Sequence, residues 1–209
     1  TDMVYACCLR ILGDPHAAED AAQATFLVLA RKAGRLGGKT VLAAWLFRTA
    51  QYAARNAQRK AAVRRRHEQE ASMERSQRTD GAPSAALSAH LDAAFGRLSR
   101  TQQDAVVLRY VRGLTVAEAA AEAGVPSETL HTRARRALEK MRSVLRRRGV
   151  ILPAAGLGAS ILAESAQAAP AGLAASIRTA CAAKAAASST ATSIAQGVTR
   201  MMWMAKIKA

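Results

Sequence analysis

Arg48, Tyr52, Arg55 and Arg59 recur at spacings of four, three and four, which places them on one side of a helix. Asn56 sits beside them, and Arg64, Arg65 and Arg66 extend the charge at the far end. An aromatic ring and an amide thus lie within a row of guanidinium groups. Bases stack on aromatic and guanidinium planes, amides read base edges and arginines hold phosphates. A solvated basic face with an incidental tyrosine explains the spacing equally well. A second set lies in SETLHTRARR, where Thr132, Arg135 and Arg136 face outward on another helix, with His131 and Arg133 at the edges. Early residues of such a helix meet base edges in a major groove, and its arginines meet phosphates.

The elements that carry these residues are well punctuated. Thr1–Leu12 reads as a helix stopped by Gly13. Asp14 and Pro15 then supply a cap and a first-turn residue, and Glu19 and Asp20 sit where the helix dipole favours acids. That helix runs to about Ala33. Gly34, Gly37 and Gly38 mark a loop, and a long helix follows from about Val41 to Arg66. Leu42, Trp45, Leu46, Thr49, Ala50 and Ala53 form its expected inward stripe.

Further along, Ser99 with Gln102 and Thr115 with Glu118 each fit a capping box. The first opens a helix to about Val111, closed by Arg112 and Gly113. The second opens a short helix closed by Gly124. Pro126 sets the entry to the next helix, whose buried stripe is Leu130, Ala134, Ala137, Leu138, Met141 and Leu145. Glu128, Thr132, Arg135, Arg136 and Glu139 face away, with His131 and Arg133 at the edges. Two short helices, a tight glycine turn and a one-sided basic face make a helix-turn-helix pattern. A helical hairpin with a merely soluble outer face is the plainer alternative.

Composition narrows the classes. The chain has 209 residues and a formal net charge of +16. Residues 1–150 hold 26 of the 31 basic and 14 of the 15 acidic side chains, so most of the excess belongs to the patterned part. Such a charge points to a polyanion, either nucleic acid or an anionic membrane. Aromatics at 4% and few Gly and Pro argue against a sandwich or barrel, and alanine abundance argues for helices. Cys7, Cys8 and Cys181 lack metal-ligand spacing, and their low count fits a reducing compartment. His16, His67 and His90 show no partner pattern. No apolar run reaches membrane-span length, and no signal peptide is read. The first residue is Thr, so the N-terminus reads as a fragment boundary. No catalytic set emerges. GRLGGKT ends like a phosphate-binding loop, but its first glycine is too close and no strand precedes it.

LGDPHAAEDAAQATFLVLARKA, AAWLFRTAQYAARNAQRKAAVRRR and LSRTQQDAVVLRYVRGLTVAEAAAEAGVPSETLHTRARRALEKMR stand in this order over most of residues 1–148. Together they resemble the extracytoplasmic-function group of the bacterial sigma-70 family, factors that bind core RNA polymerase and bring it to promoters. The resemblance implies that Asp20, Gln23 and Phe26 dock on the polymerase β′ clamp, with Ala24 where many members carry an acid. It implies a minus-ten surface of Arg35, Lys39, Arg48, Tyr52, Arg55, Asn56 and Arg59, whose loop at about 35–42 takes a flipped base; extrusion costs a few kcal/mol, which a preformed pocket offsets. Trp45 and Leu46 look structural. It implies a minus-thirty-five surface of Ser127, Thr129, His131, Thr132, Arg135 and Arg136, with His131 where many relatives have Lys or Arg. The implied partners are core polymerase, at its β′ clamp and β flap, promoter DNA and an anti-sigma factor. No metal, cofactor or enzymatic activity is implied, and the location is cytoplasmic.

The expected fold is all-α. Residues 1–67 form a sigma region 2-like domain, 68–92 a flexible linker, 93–149 a sigma region 4-like helix-turn-helix domain, and 150–209 an Ala-rich extension. Within that extension Ile194, Val198, Met201 and Met202 fall on one side of a short helix, with Trp203 alongside. It reads as a segment that packs on the other domains, binds a regulator or lies on a membrane with Lys206 and Lys208 near phospholipid; a mostly disordered extension is the favoured alternative. Against a stand-alone helix-turn-helix regulator stands the basic Tyr52 helix, since such a regulator needs no single-strand platform.

Overall fold

The computed structural model describes residues 1–71, 83–150, 156–164, 167–183 and 188–207, and every regular element among them is helical. Three helices make the first half: α1 (Asp2–Leu12), α2 (Pro15–Lys32) and α3 (Leu42–Ala71). Gly13 ends α1 in the left-handed region at φ 69°, a conformation that costs glycine little. The Asp14 carboxylate then accepts from the Ala17 N–H at 2.9 Å, with Pro15 in the first turn. The three helices pack closely because their contact faces are small. Ala18, Ala21, Ala22 and Ala24 of α2, and Ala44, Ala50, Ala53 and Ala54 of α3, are fully buried beside Val4, Val28, Trp45 and Phe47. Thr25 and Thr49 are also buried, and each hydroxyl donates to the carbonyl four residues back at 2.8 Å, so neither leaves an unmet polar group. The expected inward stripe holds except at Leu42, which is 47% exposed. It is the first residue of its helix and has no preceding turn to pack with; Val41 is buried instead.

The second half contains α4 (Pro83–Phe95), α5 (Arg100–Val106), a π-helical turn (Val107–Val111), α6 (Val116–Ala123) and α7 (Ser127–Arg146). Both capping boxes form. Ser99 N–H donates to Gln102 Oε1 at 3.0 Å, and Thr115 N–H donates to Glu118 Oε2 at 2.8 Å. Those Thr115 hydrogen bonds hold the Glu118 carboxyl below its ordinary value. Thr115→Ala is expected to cost about 1 kcal/mol, read as a lower denaturation midpoint at unchanged slope. The π turn interrupts what the sequence reads as one helix to Val111. A regular helix spreads three consecutive side chains over about 200°, yet Val106, Val107 and Leu108 are all buried. Both α3 and α8 (Gly156–Glu164) pack against the turn.

Residues 83–92, read from sequence as linker, belong to α4. Leu87, Leu91, Ala94 and Phe95 supply apolar contacts at helical spacing, which the polar residues around them conceal. The rest of that linker, 72–82, lies outside the described residues. Through α4 the two halves meet. Arg10 pairs with Asp92 at 2.5 Å, both side chains only 8% exposed. Gln51 Nε2 donates to the same carboxylate at 3.0 Å. Phe47 and Phe95 stack edge to face at 5.3 Å, a geometry aromatic pairs favour.

The extension also differs from its favoured expectation. Besides α8, it forms α9 (Leu173–Ala183) and α10 (Ser189–Ile207). α9 lies on α2, and α10 lies on both α2 and α3. Leu173, Ile177 and Ala180 of α9, and Ala191, Ile194, Ala195 and Val198 of α10, are buried. Alanine reads as low complexity in sequence, but its small side chain lets a helix lie flat on another small-residue face. The side chains of Met202, Trp203 and Lys206, and all of Lys208, lie outside the described residues.

Candidate nucleic-acid and polymerase interfaces

The row on α3 does not present one uniform face. Tyr52 is 42% exposed and Arg59 is exposed. Arg48 instead pairs with Asp104 of α5 at 2.6 Å and is only 14% exposed. Arg55 is half-buried and electrostatically close to Asp92. Asn56 is half-buried under α10, its Nδ2 donating to the Ile194 carbonyl at 3.5 Å. Arg59 points a guanidinium nitrogen at Met201 Sδ at 3.9 Å. Helical spacing put these side chains on one strip; the second half and α10 then claim different parts of it. Arg35, closing a 3-10 turn, and Lys39, in the loop before α3, are both exposed. Lys60, absent from the sequence reading, joins the set: its Nζ donates to Ser193 Oγ at 2.8 Å and to the Ser193 carbonyl at 3.1 Å. Its place one residue after Arg59 was the available signal.

α7 is organised as its pattern requires. Leu130, Ala134, Ala137, Met141 and Leu145 are buried, with Leu138 partly so. Ser127, His131, Arg135 and Arg136 are exposed, and Thr129 and Thr132 are half-buried. Arg135 bonds to Glu139 one turn on, at 2.7 Å. A shallow depression of about 200 Å³ lies beside this helix, lined by Arg109, Tyr110, His131, Arg135 and Arg142 among others. Arg109 and Arg142 were not singled out from sequence, the first because it sits in an apolar run. The Arg109 guanidinium donates to the Leu114 carbonyl and lies 5.8 Å from the Tyr110 ring centre.

Asp20, Gln23 and Phe26 fall at three-residue intervals along α2, each half-buried. Ser188, just before α10, donates its hydroxyl to Asp20 Oδ1 at 2.7 Å and its N–H to Gln23 Oε1 at 3.3 Å. Phe26 packs against the core. These three are thus brought together on one face, and that face is partly covered.

Two other groups are structural. Burial pushes the Cys7 thiol up to about 12, against the pull of Arg10, and raises Cys8 well above its ordinary value. Both thiols are therefore held in the unreactive form. Burial likewise raises the Asp92 carboxyl, while Arg10, Arg55 and the hydrogen bonds from Gln51 and Arg10 lower it. His90 meets Arg148 at 3.5 Å. Among the described residues no His, Cys, Asp and Glu cluster is arranged to hold a metal, and no helix is long and apolar enough to cross a membrane.

Comparison with known proteins agrees with this two-part arrangement. Residues 1–64 match the family model Sigma-70 region 2, and residues 94–143 match Sigma-70, region 4. Neither match reaches α8, α9 or α10. The RNA polymerase sigma factor CarQ of Myxococcus xanthus is 34% identical over 139 residues, which are 65% of this chain and 79% of that one. Among solved structures, the sigma factor RpoE of Bartonella quintana, crystallised with the anti-sigma factor NepR, shares 25% identity; the match covers 68% of this chain and 89% of that one, at a TM-score of 0.33. A stand-alone helix-turn-helix regulator is disfavoured, because residues 1–64 match region 2 beside the region 4 match of residues 94–143. The chain belongs to the extracytoplasmic-function group of the sigma-70 family: it is a non-catalytic factor that binds core RNA polymerase and directs transcription initiation at promoters.

Proposed function

We propose that this work is divided among three faces. α7 reads the duplex minus-thirty-five element through Ser127, Thr129, His131, Thr132, Arg135 and Arg136. α3 and the loop before it take the melted minus-ten strand through Arg35, Lys39, Tyr52, Asn56 and Arg59, with Arg48 and Arg55 entering once the two halves part. Asp20, Gln23 and Phe26 of α2 dock on the polymerase clamp. The observation that carries this reading is the amphipathic division of α7, which buries Leu130, Ala134, Ala137, Met141 and Leu145 while leaving His131, Arg135 and Arg136 outward. An outward arginine near the start of a helix is placed to meet base edges and phosphates in a major groove. An anti-sigma factor is the external regulator that the family resemblance implies, and the cytoplasm is where the polymerase and promoter would be met.

Run-off transcription with core polymerase on a candidate promoter tests the reading as a whole. A promoter-dependent transcript is expected only when both core enzyme and this chain are present. For the clamp face, Asp20→Ala is expected to weaken core association about fivefold or more, the loss of one charge-assisted hydrogen bond. Because Ser188 before α10 also leans on Asp20, titration against labelled core enzyme compares Asp20→Ala with its parent in a Val198→Asp background, and unchanged affinity there would move the clamp contact elsewhere.

A further inference from the structure

The face proposed for polymerase and the strip proposed for the minus-ten strand share an occupant within the chain. α10 is preceded by Ser188, whose hydroxyl both accepts from the Ala191 N–H at 2.9 Å and donates to Asp20 at 2.7 Å. Its cap is therefore built on a clamp residue. Gln23 takes the backbone N–H of Ser188. Further along, the Ile194 carbonyl accepts from Asn56, Ser193 accepts twice from Lys60, and Met201 faces Arg59. Beneath these contacts Ala191, Ile194, Ala195 and Val198 fill the groove between α2 and α3. Gly197 stands against Asn56 so closely that any side chain there would meet the amide, whose Cγ lies 3.3 Å from where a Cβ would stand.

We propose that α9 and α10 form an internal inhibitor, seated on the α2–α3 face, that must leave before core polymerase and the minus-ten strand can dock. This rests on the roles given above to Asp20, Gln23, Asn56 and Arg59. The chemistry of the seat explains why it is reversible. Every acceptor that α10 offers to Asn56, Arg59 and Lys60 is neutral: a carbonyl, a hydroxyl and a thioether. A nucleic-acid strand offers ionised phosphates to the same donors, so Arg59 and Lys60 exchange a neutral acceptor for an oppositely charged one and Asn56 gains a charge-assisted hydrogen bond. The tail itself is basic, with Arg200 exposed on α10 and Glu164 its one acid. Coulomb attraction to the basic α3 therefore does not hold it. Half of the buried α10 stripe is alanine, Ala191 and Ala195, which limits the apolar area that holds it.

The test compares the full chain with two full-length variants, Gly197→Leu and Val198→Asp. The first places a branched side chain against Asn56; the second puts a charge in the buried stripe. Hydrogen exchange of the α10 amides reports whether the helix has left its seat, and titration against core polymerase reports affinity. If the free wild-type chain is closed nine-tenths of the time, its apparent affinity is about tenfold below the intrinsic one. Both variants are expected to lose α10 protection and to bind core about tenfold more tightly. In the wild-type complex the α10 amides are expected to exchange as fast as in the variants. Variants that lose protection but bind core with wild-type affinity would overturn the inhibitor and leave the sigma reading intact. So would α10 amides that stay protected in the wild-type complex. Failure of all three chains to bind core would overturn the clamp reading, and the inhibitor with it.

Discussion

Asp92→Ala is expected to destabilise the chain by about 3–5 kcal/mol, the usual cost of removing one partner from a buried ion pair. Arg10 and Asp92 meet at 2.5 Å with both side chains 8% exposed, so the substitution removes an ion pair where water barely reaches. Gln51 loses its acceptor at the same time. Part of the cost is a buried charge that has lost its ion pair, so a double replacement by apolar residues, Arg10→Met with Asp92→Leu, should recover some of it. Urea denaturation followed by circular dichroism measures both. A fall of under 1 kcal/mol in the single variant would show that Arg10 finds another anion or water.

Arg136→Ala is expected to weaken binding of the holoenzyme to an upstream promoter element by about 5- to 150-fold, corresponding to roughly 1–3 kcal/mol for one well-placed base or phosphate contact. Arg136 is exposed on the outer side of α7, so its removal should leave the helix folded. Arg135→Ala should cost less, because Arg135 first has to release Glu139, 2.7 Å away. Competition between promoter sequences separates the two kinds of contact. A base contact relaxes preference at one position; a phosphate contact lowers affinity for all sequences and flattens the salt dependence. Equal binding by both variants and the wild type would remove α7 as the reading helix.

The helix-turn-helix half was legible because its signals are local. Ser99 with Gln102 and Thr115 with Glu118 each close a capping box within four residues, and Gly124 is left-handed at φ 63° as a helix stop requires. The buried stripe of α7 follows from one helical period. The α3 row was legible as a strip but not as a surface. Nothing near Arg48 in sequence marks Asp104, 56 residues away, as its partner. The contact between Lys60 and Ser193 spans 133 residues, beyond the reach of any local pattern. The tail was misjudged for a related reason. The face with Ile194 and Val198 was legible, and both are buried, but the alanines around it hide that its seat is the equally small alanine faces of α2 and α3. The start of α4 was hidden because Leu87 and Leu91 stand among Ser, His and Asp residues that look like linker.

The ion pair between Arg48 and Asp104 joins α3 to α5 through one guanidinium nitrogen, and an anion that draws Arg48 away from that carboxylate breaks the link. Parting the two halves and engaging Arg48 with an anion are therefore linked events. Whatever free energy an anion gains by capturing Arg48, it also contributes to opening the molecule, and by reciprocity anything that opens the molecule tightens the anion's hold by the same factor.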